Sequence, residues 1–254
     1  MSSDGAPAAV GIEVRDLHKA FNGTPVLRGV DVSVAPGELL VIAGGSGEGK
    51  SVLLRHIAGL IRPDRGTIRI GDLALAWYLA LEYEAEPFHV AMVFQNAALL
   101  NSLTVAENVA LALREHGARG GREIDAIVAR SLAQVDLSGS EEKLPGELSG
   151  GMRKRVAVAR ALAMDPQVIL YDEPTADLDP LLTEQIGDLI VKIKQQRGAT
   201  QVLVTHNLTL ARAIGDHIAL LHQGRIVDYR AADAIGTSDH PLTKEFLRAA
   251  SLRL

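Results

Sequence analysis

The sequence predicts an α/β protein whose core is a parallel β-sheet. Three short runs, Leu39–Ala43, residues 168–171 and residues 201–205, are mainly apolar and rich in β-branched side chains. Continuous runs of this kind are typical of strands that a parallel sheet buries on both faces. A helical pattern follows the first run over residues 50–60, and Asp179-Pro180 combines an N-cap residue with proline at the first helical position. This alternation of strands and helices favours the α/β class.

The other segments add a second set of strands and a helical insertion. Further strands are predicted over residues 12–17, 30–34, 66–70, 90–94, 218–221 and 226–228. The last two flank Gln223-Gly224, a dipeptide that favours a hairpin turn. Residues 102–165 are mostly helical in pattern, with Thr104 as an N-cap, so we expect them to form a subdomain inserted into the α/β core. The helix after Asp179 is predicted to run to about Gln196.

Composition and charge exclude several classes of protein. The 254 residues could form one large or two small domains, and 47% hydrophobic with 22% charged residues is ordinary for a globular protein. The net charge of −5 gives no support for a nucleic-acid partner, because phosphate neutralisation needs a surplus of Lys and Arg. The chain has no cysteine, which excludes disulfides and thiolate metal sites and suits a reducing compartment.

Neither the N-terminus nor any apolar run predicts insertion into a membrane. Residues 1–11 lack the basic and apolar regions of a secretory signal, so we expect a disordered tail. The longest uninterrupted apolar run, residues 73–81, is far shorter than the roughly 20 residues that a membrane span needs. If the protein works at a membrane, we expect another chain to supply the span.

A glycine-rich loop lies between the first buried strand and the first core helix. Gly44-Gly45-Ser46-Gly47-Glu48-Gly49-Lys50-Ser51 fits the phosphate-binding pattern G-x-x-x-x-G-K-[ST] in the strand–loop–helix context that the pattern requires. The glycines leave backbone N–H groups free to converge on phosphate oxygens. We expect Lys50 to reach the β- and γ-phosphates, Ser51 to ligate Mg²⁺, and the Glu48 side chain to point away from the polyphosphate.

Two acidic residues end another buried strand. Asp172 and Glu173 follow the apolar residues 168–171. An acid at the tip of a buried strand beside a phosphate-binding loop is placed to hold Mg²⁺ through water. Glu173 is then placed to polarise an attacking water as a general base.

Together with three further motifs, these residues resemble the nucleotide-binding subunit of ABC transporters. Leu148-Ser149-Gly150-Gly151-Met152 is similar to the LSGGQ signature of that family, Gln95 to its Q-loop, residues 176–179 to its D-loop and His206 to its switch histidine. Asp177 departs from the small residue that is common in the D-loop. The resemblance covers residues 12 to about 247.

The resemblance implies a P-loop NTPase of the ABC ATPase type. The expected fold has a RecA-like parallel-sheet core, an antiparallel β subdomain and a helical subdomain at about residues 102–165. The expected ABC domain spans residues 12–228, followed by a C-terminal helical extension over residues 229–254. Two chains are expected to form a homodimer, in which each ATP lies between the P-loop of one protomer and the signature loop of the other.

The family's functional residues carry over to matching positions in this chain. Glu173, His206 and Gln95 are the expected catalytic residues, and Phe21 is expected to stack on adenine beside Val26. Mg²⁺ is expected on Ser51, Gln95 and Asp172. The full set of expected ATP contacts is Phe21, Val26, Gly44, Gly45, Ser46, Gly47, Glu48, Gly49, Lys50, Ser51, Val52, Ser149, Gly150, Gly151, Met152 and Asp179.

Three details are similar to the Mla/Mce-type lipid-transport ATPases within this family. They are Met152 in the signature loop, the stretch 45–57 and the ending at residues 240–247. This branch implies an ATPase dimer on the cytoplasmic face of the inner membrane, bound to two integral permease subunits and an MCE-domain substrate-binding protein. The implied cargo is phospholipid or another apolar lipid. Residues 73–81 depart from the family, either as an element packed on the core or as an apolar patch that docks a permease helix.

Other functions stay open at this point. The chain could instead be the ATPase of an importer for amino acids or another small solute. A soluble ABC ATPase that acts on ribosomes or DNA is less well supported, because the chain has one cassette and only about 100 residues between P-loop and signature. A P-loop kinase would have no reason to carry a signature loop or a switch histidine.

Overall fold

The computed structural model describes residues 9–78, 88–115 and 120–251. Within these ranges the strands are β1 (Ile12–Phe21), β2 (Thr24–Val34), β3 (Leu39–Ala43), β4 (Arg65–Ile70), β5 (Leu73–Ala74), β6 (Val90–Val93), β7 (Val168–Asp172), β8 (Thr200–Thr205), β9 (His217–His222) and β10 (Arg225–Ala231). The helices are α1 (Lys50–Ile57), α2 (Leu75–Tyr78), α3 (Val105–Glu115), α4 (Gly121–Gln134), α5 (Gly150–Ala163), α6 (Pro180–Arg197), α7 (Leu208–Ile214) and α8 (Pro241–Ser251).

The main sheet has six strands in the order β10-β9-β3-β8-β7-β6. All neighbouring pairs are parallel except β9 and β10, which form the predicted hairpin. Every residue of β3, β7 and β8 is buried. Leu40 and Ile42 face one side of the sheet, whereas Leu39 and Val41 face the other. This burial on both faces is why these strands have no polar alternation, and it confirms the predicted fold class.

A second, antiparallel sheet packs over the first core helix. Its strand order is β2-β1-β4-β5. The side chains of Leu53, Leu54 and Ile57 in α1 are fully buried in one cluster with residues of this sheet and of β3. The helix therefore lies between the two sheets, and its N-terminus is fixed at the end of β3.

Helices α3 to α7 cover the opposite face of the main sheet. The Thr104 hydroxyl accepts from the Glu107 N–H (3.2 Å), and the Glu107 carboxylate accepts from the Thr104 N–H (2.8 Å). This capping box confirms the predicted start of α3. Asp179 caps α6 by accepting from the Leu182 N–H (2.9 Å), with proline at the first helical position as predicted.

The structure shifts several predicted boundaries. α1 ends at Ile57 rather than near residue 60, because Gly59 adopts a left-handed conformation (φ 74°) that closes the helix. β10 runs from Arg225 to Ala231, three residues past the predicted strand end at residue 228. Helix α8 then packs on the core through half-buried side chains that include Phe246.

Part of the atypical apolar run lies on the core. It begins as β5 and continues as α2, where Leu75 is buried. Residues 79–87, with Glu82, Glu84 and Glu86, lie outside the described residues, as do residues 1–8 of the predicted tail. No helix in the described part of the chain combines the length and the apolar character that a membrane crossing requires.

Candidate active site

Four predicted site elements lie at one edge of the main sheet. The glycine-rich loop follows β3, Asp172 ends β7, His206 follows β8 and Gln95 follows β6. These four strands are parallel, and their order in the sheet is β3-β8-β7-β6. Because the carboxyl ends of parallel strands meet at the same edge, the topology brings together residues that are up to 162 positions apart in sequence (206 − 44).

The glycine-rich loop needs glycine for two different reasons. Gly49 precedes α1 with φ 98°, a left-handed conformation that suits glycine. Gly44 lies against β9, where a Cβ atom would be only 2.4 Å from the main-chain oxygen of Leu221. Ser46 and Gly47 at the tip are exposed. The loop therefore presents an open main chain at the N-terminus of α1, which is an arrangement that binds anions.

Lys50 is folded back across the loop. Its Nζ atom donates to the main-chain oxygens of Gly44 (3.0 Å) and Gly45 (2.9 Å) and lies 3.3 Å from Oε1 of Glu173. The residue is only 6% exposed. A buried ammonium needs such partners, so Lys50 joins the glycine-rich loop to the acidic end of β7.

Ser51 and Asp172 form a pair of oxygen donors. The Ser51 hydroxyl donates to Oδ1 of Asp172 at 2.5 Å, and Asp172 is 3% exposed. Arg55 lies 3.9 Å from Oδ2 of the same carboxylate. Mg²⁺ takes oxygen ligands and is usually held by one or two protein side chains together with substrate phosphates. The pair fits this requirement. The described ranges contain no cluster of three or more His, Cys, Asp or Glu side chains that could hold a metal ion.

Glu173 is held from two sides. Its Oε2 atom accepts from Nδ1 (3.0 Å) and from the main-chain N–H (3.3 Å) of His206. The main chain of Glu173 has φ 45°, and its N–H donates to the Val204 oxygen at 3.0 Å. A non-glycine residue in the left-handed region is strained and is found most often at functional sites. His206 itself is half exposed.

The expected adenine contacts lie at the edge of the antiparallel sheet. Phe21 is 42% exposed, and Nζ of Lys19 lies 5.5 Å from the centre of its ring. Val26 is half-buried beside Gly49, where a Cβ atom would lie 3.2 Å from Cγ1 of Val26. Val52, in the first turn of α1, is partly buried against the core. Val26 thus lies next to the glycine-rich loop, and Phe21 is an exposed aromatic side chain at the end of β1.

The signature loop opens a different helix. Ser149 is exposed and caps α5 by accepting from the Met152 N–H at 3.2 Å. Gly151 and Met152 line an open cleft with Leu182 and other residues. The residues of the Lys50–Glu173–His206 cluster do not line this cleft. Asp179, another expected ATP contact, uses its carboxylate as the cap of α6.

Sequence reasoning did not identify the partners of Glu48. Its carboxylate reaches the turn between β9 and β10. Oε1 lies 3.0 Å from Nδ1 of His222, and Oε2 accepts from the Gln223 N–H. These partners are 174 and 175 positions away in sequence, so no local signal could reveal them.

The sequence analysis also did not identify two cations of α5, the buried Lys154 and the half-buried Arg160. Lys154 is 8% exposed, and burial lowers its pKa, although the carboxylates of Asp177 and Glu173 oppose that shift. Nζ of Lys154 donates to the main-chain oxygen of Gln95. Arg160 donates to the main-chain oxygens of Ala97 and Ala98, which follow Gln95 in the same loop. Lysine and arginine between apolar helix positions look like ordinary surface residues in a sequence.

Comparison with known proteins agrees with this geometry. The family described as "ABC transporter" matches residues 27–176. The chain therefore belongs to the ATP-binding subunits of ABC transporters, and it is an ATPase of the cassette type. Among solved structures, it is similar to the dimeric ATP-binding cassette MJ0796 in a post-hydrolysis state bound to ADP and Pi. The TM-score is 0.77 at 31% identity, over 87% of this chain and 98% of that one.

The names of the curated relatives refer to different substances. The Mycobacterium tuberculosis (strain H37Rv) "Probable ribonucleotide transport ATP-binding protein mkl" is 42% identical over 97% of this chain and 68% of its own length. The Escherichia coli (strain K12) L-cystine transport system ATP-binding protein TcyN is 41% identical over 93% and 96%. The Arabidopsis thaliana protein TRIGALACTOSYLDIACYLGLYCEROL 3, chloroplastic, is 39% identical over 92% and 72%.

Proposed function

We propose that this chain binds ATP and Mg²⁺ at the edge formed by β3, β8, β7 and β6, and that it hydrolyses ATP with Glu173 as general base. The observation that carries the proposal is the contact series from Ser51 to Asp172 and from Lys50 through Glu173 to His206. Mg²⁺, held by Ser51 and Asp172, would neutralise charge on the phosphates. Gln95 and His206 complete the proposed catalytic set.

Lys50 links nucleotide binding to the release of the base. In the structure its ammonium contacts two main-chain oxygens of the loop and Oε1 of Glu173. A phosphate group competes for the same ammonium, and charge-assisted bonds to phosphate are strong. When Lys50 turns to phosphate, Oε1 of Glu173 loses its cation. His206 still holds Oε2, so the carboxylate stays oriented while its free oxygen can accept a proton from water.

The position of the signature loop supports a dimeric working unit. Ser149, Gly150 and Gly151 lie at the N-terminus of α5, where main-chain N–H groups and the helix dipole favour an anion. Ser149 and Gly151 line a cleft that includes no residue of their own P-loop. In the proposed homodimer each signature loop contacts the γ-phosphate held by the other protomer. The similar cassette MJ0796 is a dimer in its ADP- and Pi-bound structure.

Two substitutions test the ATPase assignment. Glu173→Gln keeps the shape of the base but removes its proton affinity, so we expect ATP binding without turnover and a long-lived ATP-bound dimer. Lys50→Ala should abolish nucleotide binding. Lys192→Met is the matched control, because Lys192 contacts a main-chain oxygen of α4, away from this edge. Wild-type turnover in Glu173→Gln would remove the assigned base, and unchanged ATP affinity in Lys50→Ala would remove the P-loop assignment.

For the cargo we propose phospholipid or another apolar lipid. Met152 in the signature loop supports this assignment, as does the Arabidopsis relative, whose name is that of a galactolipid. In this proposal the dimer sits on the cytoplasmic face of the inner membrane, bound to two integral permease subunits and an MCE-domain protein. The L-cystine relative and a methionine import relative from Caulobacter vibrioides, 40% identical, support an amino-acid importer equally well.

Purification of the tagged protein from its native membrane in mild detergent separates the two cargo proposals. Mass spectrometry would identify co-purified proteins and lipids. A permease with an MCE-domain protein and bound phospholipid is the expected result. A permease with a soluble amino-acid-binding protein would support the importer instead. Ribosomal or DNA-repair proteins without a permease would overturn both.

A further inference from the structure

Residues 95–98, which follow β6 and Phe94, include two residues with an unusual main-chain conformation. We refer to residues 95–98 as the Gln95 loop. Ala97 has φ 62° and Ala98 has φ 48°, so two consecutive alanines lie in the left-handed region. For a residue with a Cβ atom this region is sterically unfavourable. Two such residues in sequence persist only if their surroundings hold them there.

Two cations from α5 hold the main chain of this loop. Nζ of Lys154 donates to the oxygen of Gln95. The guanidinium of Arg160 donates from one nitrogen to the oxygen of Ala98 (2.7 Å) and from the other to that of Ala97 (2.8 Å). Arginine presents its donors as a rigid fork, which suits two adjacent acceptors. Three of the four carbonyl groups of the loop are therefore bound by charged donors from one helix.

Other contacts make this arrangement well defined. Ala97 is 2% exposed, and its N–H donates to the Phe94 oxygen at 3.0 Å. Lys154 is nearly buried, with the carboxylates of Asp177 and Glu173 close enough to attract it. A buried ammonium is unfavourable unless it is hydrogen-bonded. Lys154 thus has a physical reason to stay on the Gln95 oxygen.

We propose that Lys154 and Arg160 are positioning residues, which keep the Gln95 loop in its strained conformation and so place the Gln95 side chain at the carboxyl edge of the sheet. Both residues belong to α5, the helix that begins at the signature loop. A displacement of α5 therefore moves the main chain at Gln95 directly. Only the role of Gln95 in hydrolysis rests on the proposed function, because the hold on the loop consists of hydrogen bonds within the chain itself.

Hydrogen–deuterium exchange of the nucleotide-free, full-length protein tests the hold without any ATPase measurement. The variants are Lys154→Met and Arg160→Met, with Arg160→Lys as a milder change. Lys192→Met serves as the control, because it also removes a lysine bond to a main-chain oxygen, that of Gln134 (3.3 Å), but on α6. Lys154→Met removes one charge-assisted bond and Arg160→Met removes two. Each of these variants should speed exchange of the Ala97 amide by at least about 5- to 30-fold.

A rescue variant separates relief of strain from a general loss of packing. Ala98 is exposed, and glycine adopts left-handed φ values without steric cost. Ala98→Gly added to Arg160→Met should therefore restore part of the slow exchange. In steady state, Lys154→Met should lower kcat for ATP and leave KM unchanged. A change confined to KM would contradict the positioning role.

Two outcomes would overturn the proposal. One is wild-type exchange at the Gln95 loop in Lys154→Met and in both Arg160 variants. The other is exchange that accelerates equally across all elements, with a matching loss of urea stability, since that would mark Lys154 and Arg160 as parts of the general fold. Neither outcome bears on ATP binding by Lys50, so the ATPase assignment is tested separately.

Discussion

Substitution of Glu48 gives a test in which two physical arguments predict opposite signs. Glu48 lies inside the glycine-rich loop, next to the expected polyphosphate. Its carboxylate contacts Nδ1 of His222 (3.0 Å) and the N–H of Gln223, and its side chain is 19% exposed. The same turn also touches β2, because Arg28 donates its N–H to the Gly224 oxygen at 2.9 Å. Glu48 therefore connects the P-loop to the turn between β9 and β10, and that turn contacts β2, which carries the expected adenine contact Val26.

The expected loss follows from these two contacts. Hydrogen bonds to a charged group contribute about 1.5–3 kcal/mol when buried, and partial exposure reduces this to about 0.5–1 kcal/mol for each contact here. Glu48→Ala should thus loosen the loop by about 1–2 kcal/mol, which raises the Kd for ATP about 5- to 30-fold if the whole loss falls on binding. Simple electrostatics predicts the reverse, because removal of a carboxylate near a polyphosphate should tighten binding.

Isothermal titration with ATP and Mg²⁺ measures the sign directly. Glu48→Gln keeps an oxygen acceptor for the Gln223 N–H, so we expect a smaller loss of affinity than in Glu48→Ala. His222→Ala should weaken binding less than Glu48→Ala does. The double variant should equal Glu48→Ala, because the two residues share one contact. Equal or tighter ATP binding by Glu48→Ala would refute the reasoning, because repulsion between the Glu48 carboxylate and the polyphosphate would then outweigh the two contacts.

Three further predictions concern stability and Mg²⁺. Asp228 accepts from the hydroxyls of Thr243 (2.7 Å) and Ser238; Asp228→Ala should lower the free energy of unfolding in urea by about 2–3 kcal/mol. Burial alone would raise the pKa of Asp228, but these hydrogen bonds and Arg230 outweigh burial and lower it. The stabilisation by Asp228 should therefore be complete above the unfolded pKa of about 3.9 and disappear as the pH falls through the lower, folded pKa. Burial lowers the pKa of His56, so urea stability should fall as pH drops below about 6.5, and His56→Gln should remove that slope. Ser51→Ala should raise the Mg²⁺ concentration needed for half-maximal ATPase activity by about tenfold or more, and it should lower the free energy of unfolding by about 1–3 kcal/mol, because it removes a hydrogen bond to the buried Asp172 carboxylate.

The sequence was sufficient to predict the fold and the edge at which the site lies. Strands β3, β7 and β8 are buried on both faces, so most of their residues are apolar without alternation. The β3 run leads into the glycine-rich loop, and the β7 and β8 runs lead into Asp172-Glu173 and His206. Parallel pairing then places Lys50, Asp172 and His206 side by side without any long-range information. These predictions succeed because each rests on a few adjacent residues and on one rule of sheet topology.

The contacts that organise the site were beyond sequence reasoning for a physical reason. Lys154 and Arg160 have the side chains of an exposed helix face, yet they are used to bind three carbonyl groups of another segment about 60 residues earlier. Periodicity reports which side of a helix is apolar, but it does not report where a long cation places its charged end. The sequence also does not predict the left-handed conformations of Ala97 and Ala98, because alanine does not favour this region.

The charged residues of the candidate site pair with one another, and this explains how they can be buried. Lys50 and Glu173 are 6% and 8% exposed, and either charge alone would be unfavourable at that depth. Their 3.3 Å contact satisfies both, while His206 holds the second carboxylate oxygen. In the proposed function, phosphate takes Lys50 from Glu173 before the carboxylate acts on water. The ion pair would then make the freedom of the proposed base depend on the presence of the substrate.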